Sequence, residues 1–227
     1  MEKSMKTTVI MVRHGETQLN VECKFLGTLN APLNERGRIQ AGYAREALKN
    51  RHIDRIYSSP YKRALQTAEI IDEGRDIPVT IEPELREINC GRWEGKDGHE
   101  VEKLWPGEIE KWGTKPSEVR IEDGDTFEEV WDRIYRAFWK IADANKGKTI
   151  LITSHMVCLQ LLLIRLKGGA VDDMWNVVPL ANAALNIVEI DEKRQAKIIA
   201  WSDESFVPEA ERQKAVPVAG RNYTDER

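Results

Sequence analysis

Arg13 and His14 stand side by side, directly after the apolar run Val9-Ile10-Met11-Val12 and directly before Gly15. A strand followed by a tight turn would put both at the carboxyl end of a buried strand, where open α/β sheets bind their ligands. An imidazole with an ordinary pKa of about 6.5 is mostly neutral at neutral pH and is then a nucleophile. Arginine is always charged and matches phosphate bidentately. The pair suits attack on phosphorus. Another histidine, His155, sits in Thr153-Ser154-His155-Met156, again after an apolar run and before a helical stretch. Arg63 falls in the first turn of the helical stretch that follows Ser58-Ser59-Pro60. A cation is poorly placed at the positive end of a helix dipole unless an anion shares the site with the helix amides. Leu85-Arg86-Glu87 and Trp93-Glu94-Gly95 add carboxylates beside glycines, and Asn20 follows His14 by six residues.

These residues work together only if several strand ends converge. Strand-like and helix-like stretches alternate, which predicts an α/β fold with a mostly parallel central sheet and helices on both faces. Strands are expected over residues 7–12, 53–58, 78–81 and 149–153, with an antiparallel edge hairpin from 185–190 and 197–201. Helices are expected over 35–49, from Pro60 onward, over 126–145 and over 156–167. Thr126-Phe127-Glu128-Glu129 has the pattern of a capping box. Phe127, Val130, Trp131, Ile134, Phe138 and Ile141 follow it at core-facing spacing. Residues 89–125, with Trp93, Trp105 and Trp112, break the alternation and read as an inserted lid. The three tryptophans either pack that lid onto the domain or touch a ligand.

Composition removes other classes. The chain has 227 residues, 41% hydrophobic and 32% charged, which fits a globular domain with its own core. A net charge of -4 disfavours nucleic acid as a partner. No apolar stretch is long enough to span a bilayer, and no signal-like segment opens the chain, so a cytoplasmic protein without membrane contact is expected. Cys23, Cys90 and Cys158 have no paired spacing, which argues against disulfides and zinc. Cys90 and Cys158 read as inert fillers, His52 and His99 as surface residues, and Glu84 and Glu94 as solvated. No metal or other cofactor is expected.

Four blocks occur together and in order: Arg13-His14-Gly15-Glu16-Thr17 with Asn20; Ser58-Ser59 with Arg63-Ala64 and Thr67-Ala68; Leu85-Arg86-Glu87 with Gly91 and Trp93-Glu94-Gly95; and Ser154-His155. Over about residues 6–206 this resembles the histidine phosphatase superfamily, also called phosphoglycerate-mutase-like. The resemblance implies that His14 attacks phosphorus and becomes phosphohistidine. It implies that Arg13 and Arg63 bind phosphate and that His155 contacts the transferring phosphoryl group. Glu87 is then the proton donor to the leaving oxygen. Asn20 and Gly27 become substrate contacts; Met156, adjoining His155, is also a candidate substrate contact, although with Leu159–Leu163 it belongs to a core-facing stripe. The expected layout is one histidine phosphatase domain over 1–206, with a lid at 89–125 and a tail at 207–227.

Within that superfamily the block around Glu87 discriminates. Cofactor-dependent mutases carry Glu-Arg-His-Tyr-Gly there, whereas this chain reads Glu87-Ile88-Asn89-Cys90-Gly91. Trp93-Glu94-Gly95 and Trp201-Ser202-Asp203-Glu204-Ser205 resemble the broad-specificity phosphatase branch. Leu26 replaces the small hydroxyl residue of mutases, which removes a donor near a substrate carboxylate. The expected activity is metal-independent hydrolysis of small phosphomonoesters. Phosphoserine, sugar phosphates, phosphoglycerate derivatives and α-ribazole phosphate remain candidates. A phosphoglycerate mutase and a binding module for phospho-ligands or phosphoproteins are the alternatives. The apolar punctuation of the tail, Val207, Val216, Pro217 and Val218, leaves packing on a neighbouring subunit, as in a homodimer, or over the site's mouth.

Overall fold

The computed structural model describes residues 6–212. In chain order its elements are β1 (Thr7–Arg13), α1 (Gln18–Val21), α2 (Glu35–Leu48), β2 (Arg55–Ser58), α3 (Lys62–Asp72) and β3 (Val79–Ile81). Then come α4 (Gly98–Leu104), α5 (Glu108–Thr114), α6 (Phe127–Ala144), β4 (Thr149–Ser154), α7 (Met156–Leu166), β5 (Leu185–Ile190) and β6 (Ala196–Asp203). The six strands form one sheet in the order β3-β2-β4-β1-β5-β6. Strands β3, β2, β4 and β1 run parallel, and β5 and β6 are antiparallel to their neighbours. The expected mostly parallel sheet and edge hairpin are both present.

The central strands are apolar on both faces because both are covered. Val9 and Met11 of β1 join Ile150 and Ile152 of β4 in a cluster with α6 and α7. Ile10, Val12 and Leu151 point the other way, onto Ala44 and Leu48 of α2 and Ala68 and Ile71 of α3. Alternate side chains thus anchor the two helical layers, which fixes the register of β1 against β4. That register pairs Arg13 with Ser154 and Val12 with Thr153, while Ser58 of β2 also pairs with Thr153. The carboxyl ends of β1, β4 and β2 are therefore level, and the residues following them meet.

Helix α6 starts at the expected capping box, with Thr126 and Glu129 bonded reciprocally. Such a cap is worth about 1 kcal/mol. Its buried face differs from the sequence expectation at one place. Trp131 is only half-buried, with the Arg165 guanidinium 5.2 Å from its ring, and Arg133 is buried instead.

Residues 89–125 are more regular than expected, since α4 and α5 lie within them. Trp93 and Trp112 are buried against Phe25 and Phe127, so the tryptophans mainly pack this segment onto the domain. Trp105 is half-buried beneath the Arg92 guanidinium, 4.2 Å from its ring. Val207 is buried, and the Arg36 guanidinium donates to Glu211 O, so residues 207–212 lie against the fold. The rest of the tail, with Val216, Pro217 and Val218, lies outside the described residues. No helix among the described residues is long and apolar enough to cross a membrane.

Candidate active site

His14 leaves the end of β1 with its backbone fixed on three sides. Its N–H donates to Ser154 O of β4 (3.0 Å), its carbonyl accepts from Asn182 Nδ2 (2.8 Å), and the next amide, Gly15 N, donates to Thr67 Oγ1 (3.1 Å). The ring Nδ1 lies 2.7 Å from Gly15 O. A carbonyl only accepts, so Nδ1 carries the hydrogen and Nε2 holds the lone pair. The side chain is buried between two arginines. Burial first, then Arg63 and Arg13, holds the His14 pKa well below the ordinary imidazole value. His14 is thus a neutral imidazole with an oriented lone pair.

Arg63 enters from the second position of α3 and is fully buried. Its Nη1 donates to Leu29 O (2.6 Å), Nη2 to Gly27 O (2.8 Å) and Nε to His155 Nδ1 (3.2 Å). Arg13 donates from Nη1 to Leu180 O (2.5 Å), while its buried Nε has no protein partner. Desolvation lowers both guanidinium pKa values to about 10 and Glu87 opposes it, so both remain charged at neutral pH. A buried donor without a partner is costly, and Arg13 Nε is suited to an anion's oxygen.

His155 follows β4 and caps the start of α7, its ring centre 5.2 Å from that of His14. Its Nδ1 accepts from Arg63, so its Nε2 carries the hydrogen and donates to Ser59 Oγ at 2.7 Å. Burial, then Arg63 and His14, keeps this imidazole's pKa well below its ordinary value too.

Glu87 approaches from the opposite wall. Its carboxylate accepts from Ile88 N (3.0 Å) and more loosely from Val157 N and Cys158 N (both 3.4 Å), buried first-turn amides of α7 that have no intrahelical acceptor. His14, Arg63 and Glu87 line one partly open cavity of about 530 Å³ with Asn20, Gly27 and Met156. Six of the eight expected residues face this space; Arg13 and His155 back it. The remaining lining is largely apolar: Phe25, Leu26, Ile88, Cys90, Trp112 and Val157, with Cys23 and Lys24 at its edge. Asn20 Oδ1 accepts from Thr17 N and Thr17 Oγ1, which closes the α1 turn. Among the described residues no three His, Cys, Asp or Glu side chains gather as metal ligands.

The loop carrying Gly27 is tied down by Glu94. That carboxylate accepts from Thr28 N (2.6 Å), Thr28 Oγ1 (2.8 Å) and Cys90 N (3.2 Å), so Glu94 is a tie between two loops and not the solvated residue the sequence suggests. Gly27 has φ +46°. A Cβ there would collide with Glu94 and lie 2.8 Å from Cys90 N, so no other residue fits without moving the loop.

A sequence profile of the histidine phosphatase superfamily (branch 1) matches residues 9–204. The chain belongs to the histidine phosphatase superfamily. It is 30% identical to phosphoserine phosphatase 1 of Hydrogenobacter thermophilus over 82% of this chain and 88% of that one. It is 31% identical to phosphoglycerate mutase-like protein 4 of Arabidopsis thaliana, covering 88% and 87%. The solved structure of Bacillus stearothermophilus YhfR superposes with a TM-score of 0.86 at 33% identity, covering 89% of this chain and all of the other. Membership supports phosphate-ester hydrolysis as the activity.

For a histidine phosphatase, four supporting residues receive no role from the sequence, although Ser59 and Thr67 fall inside its motif blocks. Ser59, Thr67 and Asn182 bond to the histidines or their backbone, and Arg133 grips the Glu87 segment. Outside those blocks Arg133 carries a signal, a cation between Val130 and Ile134 on an otherwise apolar stripe, whereas Asn182 carries none.

Proposed function

We propose that this chain hydrolyses small phosphomonoesters, without a metal, by passing the phosphoryl group through His14 Nε2. The observation that carries the reading is the orientation of His14: Nδ1 is committed to Gly15 O, and the neutral ring stands beside Arg63 in the cavity that Glu87 also lines. Arg13 and Arg63 offset charge on the equatorial oxygens, Arg13 through its free Nε and Arg63 by sharing donors that now hold Gly27 and Leu29. His155 reaches the phosphoryl group by exchanging Ser59 for it. Glu87 gives a proton to the departing oxygen. It then takes one from the water that cleaves the phosphohistidine, so the enzyme is restored. Asn20, Gly27 and Met156 contact the substrate.

The same reading makes residues 1–206 one catalytic domain, with 89–125 closing one wall of the cavity and 207–227 as a tail, in a cytoplasmic protein. The leaving group meets Phe25, Leu26, Ile88 and Trp112, with Lys24 as the cation the lining adds to Arg63. A bisphosphorylated ligand finds little to offset its charge there, which favours hydrolysis over mutase chemistry. The test is a panel of phosphomonoesters, including phosphoserine, scored by phosphate release in the presence of a chelator. Undiminished kcat/KM under chelation is expected. Phosphoglycerate interconversion faster than phosphate release, or loss of activity on chelation, would overturn the reading.

A further inference from the structure

Residues 84–87 run through the wall of the cavity without a strand partner, yet their four consecutive carbonyls are all engaged by side chains. Arg133 Nη1 donates to Glu84 O and to Arg86 O, both at 2.7 Å. Ser154 Oγ donates to Leu85 O at 2.7 Å. Arg133 Nη2 and Arg86 Nη1 both reach Glu87 O, at 3.4 Å each. The Cys158 thiol also donates to Arg86 O.

Asp125 closes the arrangement from the start of α6. Its Oδ2 accepts from Arg86 Nη1 (2.5 Å) and Asn89 N (3.0 Å) and lies 3.6 Å from Arg133 Nη2. Arg133 is 5% exposed, on a helix face that otherwise buries Phe127, Val130, Ile134 and Phe138. Burying a guanidinium in such a face is costly unless its donors are satisfied. Here its donors are satisfied by the backbone that presents Glu87. The carboxylate itself has only one close backbone partner and two long ones, so its position depends on where that backbone is held.

We propose that Arg133, braced by Asp125, is a positioning residue that sets the distance of the Glu87 carboxyl from the leaving oxygen and so controls proton delivery in the hydrolysis. Arg133 touches neither phosphate nor leaving group. A shift of about 1 Å in a group of this kind can lower a rate by about a hundredfold.

The inference rests on Glu87 being the proton donor, and the test separates the two. Arg133→Lys, Asp125→Asn and Glu87→Gln are each assayed by kcat/KM on an alkyl phosphate and on 2,4-dinitrophenyl phosphate. The second leaving group departs as a stable anion and needs no proton. Glu87→Gln is expected to lose about a hundredfold on the alkyl ester and little on the dinitrophenyl ester. Arg133→Lys is expected to show the same selectivity at about tenfold or more, and Asp125→Asn a smaller selective loss. A flat loss on both esters for Arg133→Lys and Asp125→Asn, with Glu87→Gln selective, would mean a merely structural role and overturn the inference alone. Unchanged rates for both would do the same. A flat loss for Glu87→Gln would remove the proton-donor reading, and this inference with it. Thermal melts of each variant separate misfolding from misplacement, and Asp125→Asn serves if Arg133→Lys does not fold.

Discussion

The two ends of the cavity are built differently. The phosphate end, with Arg13, His14, Arg63 and His155, hangs on the level carboxyl ends of β1, β2 and β4 and on the first turns of α3 and α7. The sheet's ladder hydrogen bonds level the strand ends from which Arg13, His14 and His155 project, and Arg63 joins them from α3. The leaving-group end, with Glu87 and the loop at Gly27, has no ladder. Side chains from distant segments hold its backbone: Arg133 and Ser154 on carbonyls, Asp125 and Glu94 on amides. In the proposed mechanism, chemistry common to every phosphomonoester sits on the rigid half. Chemistry that depends on the leaving group sits on the half whose supports are side chains, each replaceable by one mutation.

This contrast orders the expected effects. Removing the proposed nucleophile, His14→Ala, should lower kcat by about 10⁴-fold or more on every ester, because the covalent step runs through its Nε2 lone pair. Arg63→Lys should cost about a hundredfold, again whatever the leaving group, since a lysine loses the planar fork that spans Gly27, Leu29 and His155. Phosphate-release kinetics on alkyl and aryl esters check both. Selectivity between esters in either variant would break the division between the ends.

Glu94→Gln should act on the other end and less strongly. The amide loses one acceptor for the Thr28 and Cys90 donors, with stability falling by about 1–2 kcal/mol. KM should rise a fewfold with kcat nearly kept, read by steady-state kinetics beside a denaturant titration.

The smallest effect at neutral pH belongs to the histidines themselves. Both His14 and His155 have depressed pKa values in the fold, so the unfolded chain takes up protons first as pH falls. Stability is then complete above the unfolded imidazole pKa of about 6.5 and declines below it, by up to about 1.4 kcal/mol per pH unit for each histidine. Catalysis should persist below that pH, because His14 stays neutral there. Denaturant midpoints and kcat/KM measured from pH 8 to about pH 5 check both statements. An acid limb of kcat/KM lying at the ordinary imidazole value would contradict the buried, cation-flanked setting of His14.

Legibility follows the same division. The sheet, both helical layers and the placement of Arg13, His14 and His155 at strand ends are readable because short apolar runs run straight into Arg13-His14 and Ser154-His155, whereas the roles of these residues come from the family resemblance. The capping box at Thr126 marked the start of α6 for a similar local reason. Segment 89–125 reads as irregular because its helices are short and its apolar residues serve tertiary contacts, such as Trp93 and Trp112 with Phe25, more than a periodic face. Glu94 reads as solvated because a carboxylate that ties two loops looks like any surface carboxylate in sequence. The supports at Arg133 and Asp125 bond to backbone, which has no sequence identity to pair with. Only the misplaced charge on an apolar helix face pointed to Arg133.

Trapping the covalent intermediate tests the central claim most directly. The enzyme is mixed with a phosphomonoester carrying labelled phosphorus, quenched within milliseconds in base, and mapped by peptide. One acid-labile, base-stable phosphoryl group on His14 is expected, and none in His14→Ala. Label on any other residue, or burst-free turnover that survives in His14→Ala, would contradict it.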